Sequence, residues 1–168
     1  MEVDVRKLKI EDYEQLRASM IEAYDGIGSV WRESTIARLL KLFPEGQICV
    51  AVDGKVVACA LSIIVNYALY GDEHTYEEIT DNYSFDTHND NGDVLYGIEV
   101  FVHPDFRELR LGRRLYDERK ELCETMNLKE IKVGGRIPNY HKHSEELSPK
   151  EYIAKVKNKE IYDPELTF

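Results

Sequence analysis

Long apolar runs are missing from these 168 residues. No stretch approaches the ~20 consecutive apolar residues that a membrane-spanning helix needs. The N-terminus, MEVDVRKLKI, also lacks the apolar core of a signal peptide. The expectation is a soluble, cytoplasmic protein with no membrane partner. Cysteine is scarce: Cys49, Cys59 and Cys123 are odd in number and show no metal-type spacing. They read as reduced, mostly buried thiols rather than a disulfide framework. Excess positive charge is absent too. The 22 Lys and Arg stand against 32 Asp and Glu, a net charge of −10 with pI ≈ 5.0, which argues against a nucleic-acid partner. The length suits one domain, residues 1–168.

Against that acidic background, one stretch concentrates arginine: VLYGIEVFVHPDFRELRLGRRLYDER, Val94 to Arg119. Alternation predicts a strand over Val94–Val102, with Tyr96, Ile98, Val100 and Val102 on one face and Glu99 and Phe101 on the other. Pro104 ends it, a short basic loop follows, and a helix opens near Gly112. A loop feeding a helix start leaves backbone N–H groups pointing together beside the positive end of the helix dipole, which favours an anion. Arg107, Arg110, Arg113 and Arg114 add charge to that site. A solvated strand–loop–helix corner would also account for them.

The rest of the chain supplies a short strand around Val3 and Val5 and a helix over Ile10–Tyr24. Gly26 and Gly28 break that helix, and a second one covers Arg32–Leu42. A hairpin, Gln47–Val52 and Lys55–Val65, turns at Asp53-Gly54. The arginine-bearing helix runs to about Met126, with Leu115, Leu122, Cys123 and Met126 toward the core and Asn127 as C-cap. A strand at Glu130–Val133 ends at Gly134-Gly135. The pattern Ser148-Pro149-Lys150-Glu151 is a capping box opening a helix over Pro149–Lys157.

Gly71–Asp93 holds eight acidic residues and no Lys or Arg. It reads either as a solvated connection or as a substrate-facing segment that attracts a cationic amine. A calcium loop at Asp86–Asp93 fails on ligand spacing. His141 and His143, two residues apart, read as a surface loop or as an incomplete metal pair, and no metal is expected.

VHPDFRELRLGRRL resembles motif A of the GNAT acyltransferase superfamily, a strand ending in Val-x-Pro followed by Arg/Gln-x-x-Gly-x-Gly/Ala. Arg107 fills the first position of that core and Gly112 the last. Arg110 stands where the family usually has its first glycine. The resemblance implies an α+β fold with a mixed, mostly antiparallel central sheet flanked by helices. It implies acetyl-CoA or another acyl-CoA as co-substrate, with the pyrophosphate on the backbone of Arg107 to Arg113 (Arg107, Leu109, Arg110, Leu111, Gly112 and Arg113). The pantetheine arm would lie along Val100, Phe101 and Val102. Glu99 is the candidate base toward an amine acceptor, and an ion-paired edge glutamate is its other reading. The general acid stays unassigned, since Tyr140 and Tyr162 fall at the wrong spacing. The acceptor is expected to be a primary amine of a small molecule or a lysine side chain. A non-catalytic CoA-binding or interaction module is the competing reading.

The C-terminal run from Gly134 resembles GNAT domains that precede a nitrilase-type carbon–nitrogen hydrolase domain. Such domains usually continue past the position of Phe168 into a last helix and closing strands. The expectation is therefore a truncated piece or a sheet completed differently, paired with a second copy or with a C-terminal partner domain.

Overall fold

A computed structural model describes residues 1–24, 30–133, 145–158 and 160. Gly26, Gly28, Gly134, Gly135, Tyr140, His141, His143 and Tyr162 lie outside the described residues. The chain forms two compact units, Met1–Val133 and Gly134–Phe168.

The first unit is built on a five-stranded sheet in the order β1 (Val3–Lys7), β2 (Ile48–Val52), β3 (Lys55–Val65), β4 (Val94–Val102) and β5 (Glu130–Val133). The first four strands are antiparallel to their neighbours, and β5 runs parallel to β4. The expected mostly antiparallel α+β sheet is therefore present. Among the described residues no further strand follows β5. Asp53 (φ 49°) and Gly54 (φ 85°) both take positive φ in the β2–β3 turn. That backbone matches the twist of a two-residue hairpin.

Helix α1 (Tyr13–Tyr24) follows a 3-10 turn at Ile10–Asp12, and α2 (Glu33–Leu42) starts after Arg32. Leu16, Met20, Ile36 and Leu39 bury their side chains in one core with Cys59, Leu61, Ile63, Tyr96 and Phe101. Full burial of each such aliphatic side chain stabilises by ~1.5–3 kcal/mol, so this face anchors β3 and β4. The other face of the sheet is covered by α4 (Leu111–Thr125), whose Leu111 and Leu115 pack with Val50, Ala58 and Ala60.

The acidic segment is not a plain loop. It contains α3, a short helix over Tyr76–Thr80 capped by Thr75, whose hydroxyl accepts the Glu78 N–H at 3.1 Å. Asp81, Asn82, Tyr83 and Phe85 then adopt positive φ. At its far end α4 closes in a Schellman motif: Leu128 N–H donates to the Cys123 carbonyl and Asn127 N–H to Glu124. Asn127 takes the left-handed position (φ 55°). Met126, expected in the core, is 37% exposed, because the helix has already turned out at that point. In the second unit α5 spans Pro149–Lys157. Its capping box is formed, with Glu151 N–H donating to Ser148 Oγ at 3.2 Å and Ser148 N–H to Glu151 Oε1 at 3.1 Å.

Candidate active site

Across the β3–β4 ladder Leu61 faces Glu99 and Ser62 faces Gly97, so Ile98 is one residue too many on β4. A bulge of this kind leaves the extra residue unpaired and moves the residues after it to the other face. The alternation predicted from the sequence therefore fails at Ile98. Tyr96 and Ile98 lie in the α1–α2 core, and so does Phe101, whereas Val102 packs beneath α4. Val100 is exposed instead of buried beside Ile98. Glu99 is half-buried on the same side as Ile98, and its Oε2 sits 3.5 Å from Nε1 of the buried Trp31. Its Oε1 accepts the N–H of Val100 at 3.1 Å.

Aromatic side chains gather at this part of β4. Tyr76 donates its hydroxyl to the Ile98 carbonyl at 2.8 Å. Tyr83, half exposed, meets Trp31 edge-on with centroids 5.4 Å apart and Tyr76 at 5.8 Å. The left-handed run at Asp81–Tyr83 turns the chain back so that this ring reaches Trp31. The acidic segment thus lies against the part of β4 that carries Glu99. Some of its charge is paired: Arg38 bonds Asp86 at 2.5 Å and Lys132 approaches Asp72 at 3.7 Å.

Beyond β4, Asp105 donates its N–H to Nδ1 of the buried His103 at 3.1 Å, which starts a 3-10 helix over Pro104–Leu109. This helix replaces the open loop expected there. Arg110 comes next in the left-handed conformation (φ 56°, ψ 38°) and is the N-cap of α4, with no side-chain cap bond. The helix therefore starts at Leu111, one residue before the expected Gly112. A side-chained residue in that conformation costs ~1–2 kcal/mol, which glycine avoids. Leu109 and Leu111 turn their side chains into the core with Phe106 and Leu115, so only their backbone is available to a ligand. Arg107, Arg110, Arg113 and Arg114 are exposed, and a Cβ built on Gly112 meets nothing within 4 Å. The start of α4 thus has open space at Gly112 and four solvent-exposed arginines close to it in sequence.

The pairing of β4 with β5 runs from Val94↔Glu130 to Gly97↔Val133 and stops there. Val100, Phe101 and Val102 lie past that point and pair with β3. A groove of about 700 Å³ lies elsewhere, at the C-terminal half of α4, lined by Leu42, Phe43, Leu122 and Met126 among others. It contains none of the candidate donor-site or catalytic residues. Among the described residues no cluster of three or more His, Cys, Asp or Glu could hold a metal. None of their helices is long and apolar enough to cross a membrane.

Trp31, Tyr76, Tyr83 and Arg119 escaped the sequence reading. For Arg119 a signal existed. The positions 111, 115, 119 and 123 form one stripe of α4, and arginine occupies the third of them between Leu115 and Cys123. A charged residue in an apolar stripe at i, i+4 spacing marks a buried polar contact. For the three aromatics, only the fold brings distant segments to β4.

The sequence model of the Acetyltransferase (GNAT) family matches residues 10–144. Among curated proteins, the chain is 39% identical over 164 residues to the probable hydrolase YhcX of Bacillus subtilis (strain 168), covering 98% of this chain and 32% of that protein. It is 33% identical over 139 residues to the uncharacterized N-acetyltransferase YkwB of the same organism, covering 83% of this chain and 62% of that one. The chain thus spans about a third and under two thirds of these two relatives. Among solved structures, the loading GNATL domain of CurA from Lyngbya majuscula has a TM-score of 0.77 at 21% identity, over 99% of this chain and 81% of that one. The GNAT-like decarboxylase GphF, solved with isobutyryl-CoA, has a TM-score of 0.71 at 17% identity, over 97% and 81%. At such identities these two establish the fold alone. With most of its length matched by the family's sequence model and the strand–turn–helix of motif A in place, this chain belongs to the GNAT acetyltransferase family.

Proposed function

We propose that residues 1–168 form an acyl-CoA-dependent N-acyltransferase domain, with acetyl-CoA as donor and a primary amine of a small molecule or lysine side chain as acceptor. The family's co-substrate is acetyl-CoA or another acyl-CoA. The observation that carries the reading is the bulge at Ile98. It sets the Glu99 carboxylate, half-buried beside Trp31, on a strand joined to the start of α4 by the 3-10 helix Pro104–Leu109.

In this reading the pyrophosphate takes the first-turn N–H groups of α4, with Arg107, Arg110 and Arg113 around it. The pantetheine arm lies along Val100–Val102, beyond the last β4–β5 pair, as an added strand. The amine arrives on the aromatic side of β4. A lysine-type ammonium has a pKa near ~10.4, so a proton must leave before nitrogen can attack. Glu99 accepts that proton, directly or through one water. The nitrogen lone pair forms a bond to the thioester carbon, and the carbonyl becomes an oxyanion held by a strand N–H. Collapse of that intermediate re-forms C=O and breaks the C–S bond. The nitrogen, which after attack carries one proton too many, gives it up to the CoA thiolate, directly or through water, and the neutral amide departs.

Free-CoA release, measured with acetyl-CoA and a panel of amines, tests the proposal. Glu99→Gln is expected to lower kcat by roughly 10²–10⁴-fold at unchanged acetyl-CoA affinity, the range for a lost general base. Acetyl-CoA binding without turnover on any amine would favour the non-catalytic CoA-binding module. The Val100 N–H gives that second reading its footing, because the strand's own Glu99 already occupies it. For localisation and partners, three buried free cysteines suit a reducing, cytoplasmic setting. Pairing of the sheet edge with a second copy or a further domain is checked by light scattering.

A further inference from the structure

Arg119 is 3% exposed, in the middle of α4, and among the described residues no carboxylate lies within ion-pair distance of it. Burial pulls its pKa down to about 10, so it stays charged at neutral pH. Its Nε donates to Ser62 Oγ at 3.0 Å, and its Nη2 donates to the carbonyls of Leu61 at 2.7 Å and Glu99 at 2.8 Å. Leu61 and Glu99 face each other across the ladder at the bulge. One guanidinium nitrogen therefore ties together the two strands at the place where their regular pairing is broken. Desolvating an unpaired guanidinium is costly, and a bulge does not in general require one. The location points to a use for the charge.

The peptide between Glu99 and Val100 is trans, so its C=O and N–H point in opposite directions. With the carbonyl fixed on Arg119, the N–H of Val100 faces away from α4, where the Glu99 carboxylate accepts it. Tyr76 holds the preceding carbonyl, that of Ile98. The two peptides of the bulge are thus clamped by two side chains from different elements.

We propose that Arg119 is a positioning residue for acyl transfer: it locks the Glu99–Val100 peptide so that the Val100 N–H is the donor to the thioester oxygen. The inference rests on the acyltransferase reading above. Glu99 Oε1 keeps that N–H partnered in the unliganded protein. When the thioester carbonyl takes the N–H, the carboxylate is released beside the reacting carbon, ready to accept the amine proton. A charge held at the far end of the same peptide polarises its N–H, which strengthens the donor as the oxyanion forms.

The test compares wild type with Arg119→Lys and Arg119→Met, in the full chain. Thermal unfolding checks folding, calorimetry gives acetyl-CoA affinity, and NMR follows the Val100 amide by hydrogen exchange and by its shift on adding acetyl-CoA. In wild type the Val100 resonance is expected to move strongly with acetyl-CoA. In Arg119→Met its exchange should quicken at least tenfold while amides of α4 stay protected. Affinity should hold within about threefold, and kcat should fall roughly 10²-fold, the loss of one oxyanion donor. Arg119→Lys should recover part of kcat. Equal loss of kcat and affinity, or a Val100 amide indifferent to Arg119, would overturn the proposal and leave Arg119 as a packing brace. Should Arg119→Met fail to fold, the Arg119→Lys exchange and kcat decide alone. Acetyl-CoA that binds neither wild type nor variant sinks the acyltransferase reading instead, while the exchange comparison in the unliganded protein still reports on the clamp.

Discussion

Gly97 and Arg119 share one space beneath β4: a Cβ on residue 97 would lie 2.7 Å from Nη1 of Arg119 and 2.7 Å from Cγ1 of Val133. The guanidinium cannot swing aside freely, because its other nitrogens are held by Ser62, Leu61 and Glu99. The last β4–β5 pair and the buried arginine therefore both depend on a missing side chain.

Gly97→Ala is accordingly expected to destabilise the fold by ~1–3 kcal/mol, the usual cost of overpacking. Urea unfolding measures it. The substitution should also weaken protection of the Val100 amide. Gly97→Ala in an Arg119→Met background should cost less than in wild type, since one of the two clashing groups is gone. Strictly additive costs would show that Val133 alone sets the limit.

Arg110, where the family usually has its first glycine, holds a left-handed backbone. Arg110→Gly removes the left-handed strain, so stability should hold or rise by up to ~1 kcal/mol. Acetyl-CoA affinity should change less than tenfold, ~1.4 kcal/mol, with a shallower salt dependence because one cation is lost. Calorimetry at two ionic strengths checks both. A steeper salt dependence in the variant would remove Arg110 from the anion site.

Gly112 separates stability from binding. It is the second residue of α4, and an added Cβ meets nothing there. Gly112→Ala should therefore be neutral or stabilising by up to ~1 kcal/mol through helix propensity, while weakening acetyl-CoA where the phosphates approach the backbone. Gly112→Asp should abolish binding by placing a carboxylate against the pyrophosphate. Thermal melts with and without millimolar acetyl-CoA read the two effects separately. Unchanged ligand stabilisation in Gly112→Asp would place the donor elsewhere.

Cys49 and Cys59 face each other across β2 and β3, both fully buried and both free. Burial pushes the Cys49 thiol up to about 11 and Cys59 well above its ordinary value. Thiols whose pKa rises on folding ionise first in the unfolded chain. Stability should therefore be flat below the ordinary thiol pKa of ~8.5 and fall as pH rises above it. Urea midpoints at pH 7, 9 and 10 measure the decline. A thiol reagent at pH 8 should label neither residue until the protein unfolds.

The sequence by itself determined the local elements. The Asp53-Gly54 turn, the Ser148–Glu151 capping box, the stop at Pro104 and the cap at Asn127 each depend on conformational preferences of a few neighbouring residues. Those preferences act at short range. The composition of motif A marked Val94–Arg119 for the same reason, and so did the family. Only the tertiary structure decided which way Glu99 points. The extra residue at Ile98 is defined by what β3 offers opposite it, and by an arginine 20 positions away that bonds the Glu99 carbonyl. Trp31, Tyr76 and Tyr83 come to this part of β4 from segments 68, 23 and 16 residues distant from Glu99 in sequence. Period-2 alternation presumes an unbroken ladder. A bulge breaks it through long-range pairing, which leaves no mark on the residues beside it.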